Sequence, residues 1–339
     1  MQILASIKKE ILPKVAAKQI FDLIKPEMSL VETEFENQAR SNIQVIDYLG
    51  SYLRASGGKR VRPALLILAT YVAGGIGKSD NVIRMAAVME MLHTATLVHD
   101  DIIDNADLRR NRPSVNAKYG NQTAVLMGDW LYMTAFETSL SERSLEILDI
   151  LTRLTRKMTE GELIQLTLLG NVNINREQYF DVLKRKTAYL FSGCCEIGAI
   201  LGKASSEQQL ALKNYGMDLG IAFQLADDLL DLTSDDSTLG KKAGADLIEG
   251  KITMPLILLC EERPEIKPLL QKVMQSGEYP ESTKRTVDGL VKEHDIYAKT
   301  RDVAISYARS SIKNLEFFVK SEYLNALGAI PNFVIDRKK

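Results

Sequence analysis

MEMLHTATLVHDDIIDNADLRRNR, residues 89–112, reads as an apolar helix that ends in carboxylates. Asp100, Asp101 and Asp104 close it, and Arg109, Arg110 and Arg112 follow at once. Aspartates at the C-terminal end of a helix stand in an unfavourable field, because that end carries the negative pole of the macrodipole. Something positive has to compensate them. A second ending of the same kind, FQLADDLLDLTSDD at 223–236, brings Asp227, Asp228 and Asp231. Two such endings in one chain suggest a single metal-diphosphate site built from both.

Residues four apart on a helix share a face, with Cβ atoms about 6 Å apart. Asp100 with Asp104 and Asp227 with Asp231 are such pairs. Carboxylate pairs suit hard cations, and Mg²⁺ takes one or two of them together with phosphate oxygens. The plainer reading, a solvated acidic helix end, fits poorly. Ile102 and Ile103, and Leu229 and Leu230, keep both motifs inside apolar runs.

Cationic residues recur beside both motifs. Gly57-Gly58-Lys59-Arg60-Val61-Arg62-Pro63 sets Lys59 and Arg62 on a glycine turn before a helix whose first position suits Pro63. Free N–H groups at such a start favour an anion. Arg109 and Arg110 follow the first motif. Lys186-Thr187 and Gln224 lie inside helices, and Lys241 and Lys251 flank a glycine-containing loop. Any one of these reads as an ordinary solubilising side chain; their recurrence beside both acidic clusters argues otherwise.

Outward from these stretches, helical periodicity dominates and alternating β-branched runs are hard to find. Helices are expected over about 3–24, 26–54 and from Pro63 to Gly74-Gly75. The helix leading to Asp100 should begin near Ser79-Asp80, with either side chain as cap. Further helices are expected at about 122–138, 141–169 and 177–201, and from a Ser206 cap to Asp231. A long loop follows over 234–250, then shorter helices broken at Pro264, Pro268, Pro280 and Pro331. No linker divides the chain, so a single all-α domain over 1–339 is expected.

Composition sets the class. An apolar fraction of 45% with 26% charged residues is that of a soluble globular protein. A net charge of −1 gives no reason to expect nucleic acid. Cys194, Cys195 and Cys260 lack zinc-type spacing and read as reduced packing residues of a cytoplasmic protein. The N-terminus has no apolar core of a secretory signal, and no run reaches the length of a spanning helix. At most the protein touches a membrane from outside.

GGKRVRP at 57–63, HDDIIDNADLRRNRPSVN from His99, KTA at 186–188, FQLADDLLD at 223–231 and GKKAGADLIEGKITMP at 240–255 resemble the trans-isoprenyl diphosphate synthases, the polyprenyl synthetase family. The resemblance implies an all-helical isoprenoid-synthase bundle around a central cavity, a homodimer, and Mg²⁺. It implies that Asp100 and Asp104 ligate Mg²⁺ on one wall and Asp227 and Asp231 on the other. Lys59, Arg62, His93 and Arg110 would bind isopentenyl diphosphate. Arg109, Lys186, Thr187, Gln224, Lys241 and, more weakly, Lys251 would hold the allylic diphosphate, with farnesyl diphosphate the expected primer.

Product length turns on the residues before Asp100. Thr96 lies one turn, about 5.4 Å, below it. Ala95 is off that face, so its role rests on the resemblance alone. Both are small where short-chain relatives resemble each other in carrying bulky aromatics. An open tunnel floor at Ala95 and Thr96 is therefore implied, and with it a long-chain product, most like the octaprenyl type that supplies a quinone side chain. A shorter-chain farnesyl or geranylgeranyl synthase is the alternative. A terpene cyclase would need no second diphosphate segment such as 57–63, and a non-catalytic subunit should have lost one acidic motif; here both are intact.

Overall fold

The apolar periodicity becomes helix almost throughout the computed structural model, which describes residues 17–55, 57–110, 112–233 and 244–336. α1 (Ala17–Leu23), α2 (Lys25–Gln38), α3 (Gln44–Ala55), α4 (Val61–Val72) and α5 (Asp80–Ile103) lead to the first acidic motif. An antiparallel hairpin follows, β1 (Leu108–Arg109) paired with β2 (Arg112–Pro113), with Arg109 opposite Arg112. Next come α6 (Val115–Tyr119), α7 (Asn121–Leu140), α8 (Leu145–Leu168) and α9 (Arg176–Leu183). A π-helical turn, Lys184–Ala188, carries α9 directly into α10 (Tyr189–Leu201). α11 (Ser206–Thr233) holds the second motif. The chain closes with α12 (Ala245–Ile248), α13 (Met254–Glu262), α14 (Lys267–Ser276), α15 (Glu281–Glu293), α16 (Ile296–Lys313) and α17 (Glu322–Ile335).

α5 is the axis of this all-α bundle. Its 24 residues span about 36 Å, and it packs against α2, α4, α7 and α10. Met85, Met89, Met91 and Leu92 are fully buried along it, each contributing about 1.5–3 kcal/mol relative to exposure. α11 packs against α10 and α16. Because α10 lies against both α5 and α11, the π-helical turn at its head sits between the two acidic helix ends. Cys194, Cys195 and Cys260 are buried and unpaired, as packing residues are. Among the described residues no helix is long and apolar enough to cross a membrane.

Several boundaries differ from the sequence reading. Lys241 and most of the expected opening helix lie outside the described residues. The helix expected from Pro26 to Arg54 is two helices, because the chain turns at Ala39 and Gly50 then packs on it. A Cβ on Gly50 would stand 2.8 Å from the Ala39 carbonyl oxygen. α4 starts at Val61, so Pro63 is its third residue, still in the first turn where no N–H is needed. Neither Ser79 nor Asp80 caps α5; the Ser79 hydroxyl donates instead to Ile76 O at 2.7 Å. α8 is capped by Ser144, whose Oγ accepts from Ile147 N, three residues later than expected. The cap of α11 is Ser205, not Ser206: its Oγ accepts from Gln208 N at 3.3 Å while Gln208 Oε1 accepts from Ser205 N at 3.1 Å. Pro331 lies inside α17 rather than ending it.

Candidate active site

Both acidic helix ends open on one cavity of about 1580 Å³. Asp100 lines it from α5, and Asp227 and Asp228 line it from α11. Lys59, Arg62, His93, Arg110, Lys186, Thr187, Gln224 and Lys251 line the same space. Beyond them the wall turns largely apolar, through Leu97, Met133, Phe136, Leu163, Leu166 and Leu190, with Thr152, Thr155 and Thr159 on α8.

The central aspartate of each motif is engaged by the protein itself. Arg109 donates to Asp101 Oδ1 from Nε at 2.7 Å, with Nη2 at 2.5 Å. Asp228 accepts from the Tyr179 hydroxyl at 2.5 Å and from Gln224 Nε2 at 3.1 Å, while the Thr187 hydroxyl donates to Gln224 Oε1 at 2.9 Å. A polar chain thus runs from the π-helical turn through Gln224 to the second motif. Asp104 is exposed outside the cavity lining and pairs with Lys251 Nζ at 3.1 Å; Glu249 holds the same ammonium at 2.7 Å. That contact, 147 residues apart in sequence, ties the segment after the second motif to the first motif. Asp231 Oδ2 accepts from Asp246 N at 3.4 Å.

The electrostatics follow from burial and crowding. Burial, then Glu162, pushes the Asp100 carboxyl up to about 7, against the pull of Lys186. Burial and Asp246 push Asp228 and Asp231 to about 7 as well. Carboxylates crowded in a low-dielectric wall favour a cation among them. Among the described residues no three His, Cys, Asp or Glu side chains form a ready-made cation site. Asp100 and Asp227, one from each motif, line the cavity with oxygen donors of the kind a hard metal takes together with phosphate oxygens.

The opposite wall is cationic. Arg62 is half-buried, its guanidinium 5.0 Å from the Phe191 ring centre, and its Nε is buried with no hydrogen-bond partner among the described residues. Burial pulls its pKa down. An orphaned, buried guanidinium donor is costly unless an anion arrives to use it. Burial, then Arg62 and Arg110, holds His93 well below the usual histidine range, so it meets a ligand as a neutral ring. Arg110 Nη1 donates to Gly57 O, and a Cβ on Gly58 would meet that guanidinium at 2.6 Å. The guanidinium end could shift, but φ of 65° at Gly57 and 152° at Gly58 favours glycine at both positions.

Four expected residues lie outside that lining: Asp104, Asp231, Arg109 and Ala95. Arg109 faces a small cavity of about 40 Å³ behind Arg110. Thr96 lines the main cavity, but Ala95 does not: it is fully buried in a separate cluster with Leu49, Tyr52, Val98 and Leu131. The structure adds Glu162, which lines the cavity and holds Lys186 Nζ at 2.8 Å. Its one sequence signal was a carboxylate inside the half-apolar stretch Gly161–Leu169. The π-helical turn was also unread. It rests between two glycines: a Cβ on Gly161 would stand 2.6 Å from Arg185 Cβ, and one on Gly220 2.6 Å from Ala188 Cα.

Comparison with known proteins agrees with this fold. The polyprenyl synthetase family model matches residues 43–290. The octaprenyl diphosphate synthase of Escherichia coli is 38% identical over 261 residues, 77% of this chain and 80% of that protein. That of Haemophilus influenzae is 34% identical over 320 residues, covering 94% of this chain and 96% of its own. A polyprenyl synthase from Caulobacter crescentus, crystallised with calcium and isoprenyl diphosphate, superimposes with TM-score 0.89 at 33% identity, covering 96% and 99% of the two chains. Fold and relatives together define the class: this is a prenyltransferase. The chain belongs to the polyprenyl synthetase family.

Proposed function

We propose that the chain is a long-chain all-trans polyprenyl diphosphate synthase of the octaprenyl type, one catalytic domain that supplies a quinone side chain. The carrying observation is one cavity lined by acidic and cationic groups from both motif regions together with a largely apolar wall. At about 1580 Å³ it exceeds the roughly 300–1,000 Å³ of ordinary ligand pockets. The octaprenyl relatives support that product length.

In this reading Asp100, Asp104, Asp227 and Asp231 hold Mg²⁺ against an allylic diphosphate such as farnesyl diphosphate. The Caulobacter relative, with its calcium and isoprenyl diphosphate, supports a divalent metal. When bound, the metal supplies Lewis-acid stabilisation of charge growing on the leaving group. Lys186, Thr187, Gln224 and Lys251 line the cavity where that diphosphate would lie; Arg109, and Lys241 outside the described residues, complete its proposed contacts. Lys59, Arg62, His93 and Arg110 hold isopentenyl diphosphate alongside. The allylic C–O bond breaks with its electron pair leaving on the diphosphate. The terminal alkene of isopentenyl diphosphate forms the new C–C bond, and loss of a proton restores an allylic diphosphate one isoprene longer. Apolar walls exclude water from the cation.

Val125, Leu126 and Leu140 on α7, and Leu145 on α8, leave apolar side chains exposed outside the cavity lining, the kind of surface a second copy covers in a homodimer. A peripheral membrane contact for product release belongs to the same proposal. The test is purified protein with Mg²⁺, farnesyl diphosphate and labelled isopentenyl diphosphate, its products sized by chromatography. Eight-isoprene products are expected. Exclusively short or cyclised products refute the octaprenyl assignment.

A further inference from the structure

We infer that Arg60 and Glu90 are positioning residues that hold the isopentenyl diphosphate half of the site in shape. The inference rests on the proposed roles of Lys59 and Arg62. Arg60 stands between those two residues, yet its own guanidinium is committed to the protein. Nε donates to Glu32 Oε1 at 2.6 Å, Nη2 to Glu32 Oε2 at 3.3 Å, and Nη1 to Glu90 Oε1 at 2.7 Å. The Phe35 ring centre lies 5.8 Å from its Cζ. The Arg60 side chain is 12% exposed and that of Glu90 5%.

The backbone explains why such an anchor is needed. Arg60 caps α4 in the left-handed region, with φ 49° and ψ 39°. For a side-chain-bearing residue this conformation is strained. Gly57 and Gly58 precede it with φ of 65° and 152°. The reversal lets Lys59, just before Arg60, and Arg62, two residues after it, line the same cavity, whose wall Arg60 and Glu90 also reach while their charged groups stay paired with each other and with Glu32. The three charged hydrogen bonds act with Gly57, Gly58 and the Arg110 contact on Gly57 O to select this turn over an ordinary helix entry.

Stability is a poor reason for the cluster. Burying an ion pair costs several kcal/mol of desolvation per ion, and an apolar replacement is often as stable. What an apolar replacement lacks is direction. Glu90 on α5 and Glu32 on α2 grip opposite parts of one planar fork, so the turn is fixed relative to the helix that carries His93 and Asp100.

Charge alone and positioning predict opposite signs. Glu90 is a carboxylate beside Arg60, Arg62 and Arg110. Removing its charge makes that wall more positive, which by itself should tighten diphosphate binding. Loss of position should weaken it. The experiment compares Glu90→Gln, Glu32→Gln and Arg62→Ala in steady-state kinetics with Mg²⁺, farnesyl diphosphate and labelled isopentenyl diphosphate, alongside thermal melts. Glu90→Gln should raise KM for isopentenyl diphosphate about tenfold, within the roughly hundredfold that a full ångström of misplacement can cost, and leave KM for farnesyl diphosphate within about twofold. An unchanged or lowered isopentenyl diphosphate KM, or a parallel rise for both substrates, overturns the inference. Should Glu90→Gln fail to fold, Glu32→Gln at the more exposed end should still give a smaller, one-sided rise, and none there overturns it equally. Arg62→Ala reports separately: if it leaves the isopentenyl diphosphate KM unchanged, the site assignment itself is wrong.

Discussion

Replacing Thr96 or Ala95 with phenylalanine separates the wall of the tunnel from the core behind it. The two residues are neighbours on α5, both small, and the sequence offered both as the floor. Thr96 faces the cavity, about one turn below Asp100. A phenyl ring there projects into the space a growing chain must enter, so products should shorten. Ala95 is fully buried against Leu49, Tyr52, Val98 and Leu131. Phenylalanine at 95 therefore overpacks a closed cluster, costing about 1–3 kcal/mol. For a chain of this size that corresponds to a melting temperature lower by roughly 2 °C per kcal/mol. The assay sizes dephosphorylated products on a reversed-phase column and melts each variant. Thr96→Phe should shorten product at near-normal stability, and Ala95→Phe should lose stability with product length kept. Shortened product from a stable Ala95→Phe enzyme would refute the assignment of the two faces.

Three further outcomes follow from the same geometry. Gly161→Ala places a Cβ 2.6 Å from Arg185 Cβ and 3.1 Å from Lys186 N, so it should cost about 1–3 kcal/mol and raise KM for the allylic substrate; unchanged kinetics and melting would show that the π-helical turn has slack. Phe136 lines the cavity on α7, about 10 Å along the helix from Asp129, which also lines it; Phe136→Ala should lengthen the product distribution on the same column. Asp100, Asp228 and Asp231 carry folded-state values near 7, raised from 3.8. A raised value means stability that is present below the unfolded pKa and lost as pH rises through the folded one. The metal-free protein should therefore lose stability between the ordinary carboxylate range and about pH 7. Added Mg²⁺ with inorganic diphosphate should raise the melting temperature more at pH 8 than at pH 6, and an equal rise at both would contradict this.

The helices were legible because their apolar residues repeat at helical spacing and their carboxylates sit at the ends. The pairing of Asp101 with Arg109 was not, since nothing in DDIID says which aspartate is held by the protein. Thr96 and Ala95 differ by one residue, and which side faces the tunnel depends on where α3, α6 and α7 pack. The break after Gln38 hides because QARSNIQ keeps plausible helix formers around the turn. The π-helical turn leaves no local mark, because it depends on Gly161 and Gly220, glycines on other helices that let the backbone close in. Arg60 read as one more member of a basic run; only its fold partners Glu32 and Glu90, 28 and 30 residues away, separate it from Lys59 and Arg62. Local periodicity carries elements, whereas the direction of a side chain inside the site is a tertiary property.

In the proposed reading the two acidic helix ends act as one clamp. Turnover of purified Asp100→Ala, Asp227→Ala and the double variant tests it most directly, with melts to confirm folding. Residues that act as a unit are strongly non-additive. Each single variant should lose turnover by about two orders of magnitude or more, the scale set by removing one preorganised electrostatic group, and the double variant should lose little further. Near-normal turnover in either single variant, or losses that simply multiply, would contradict a shared clamp.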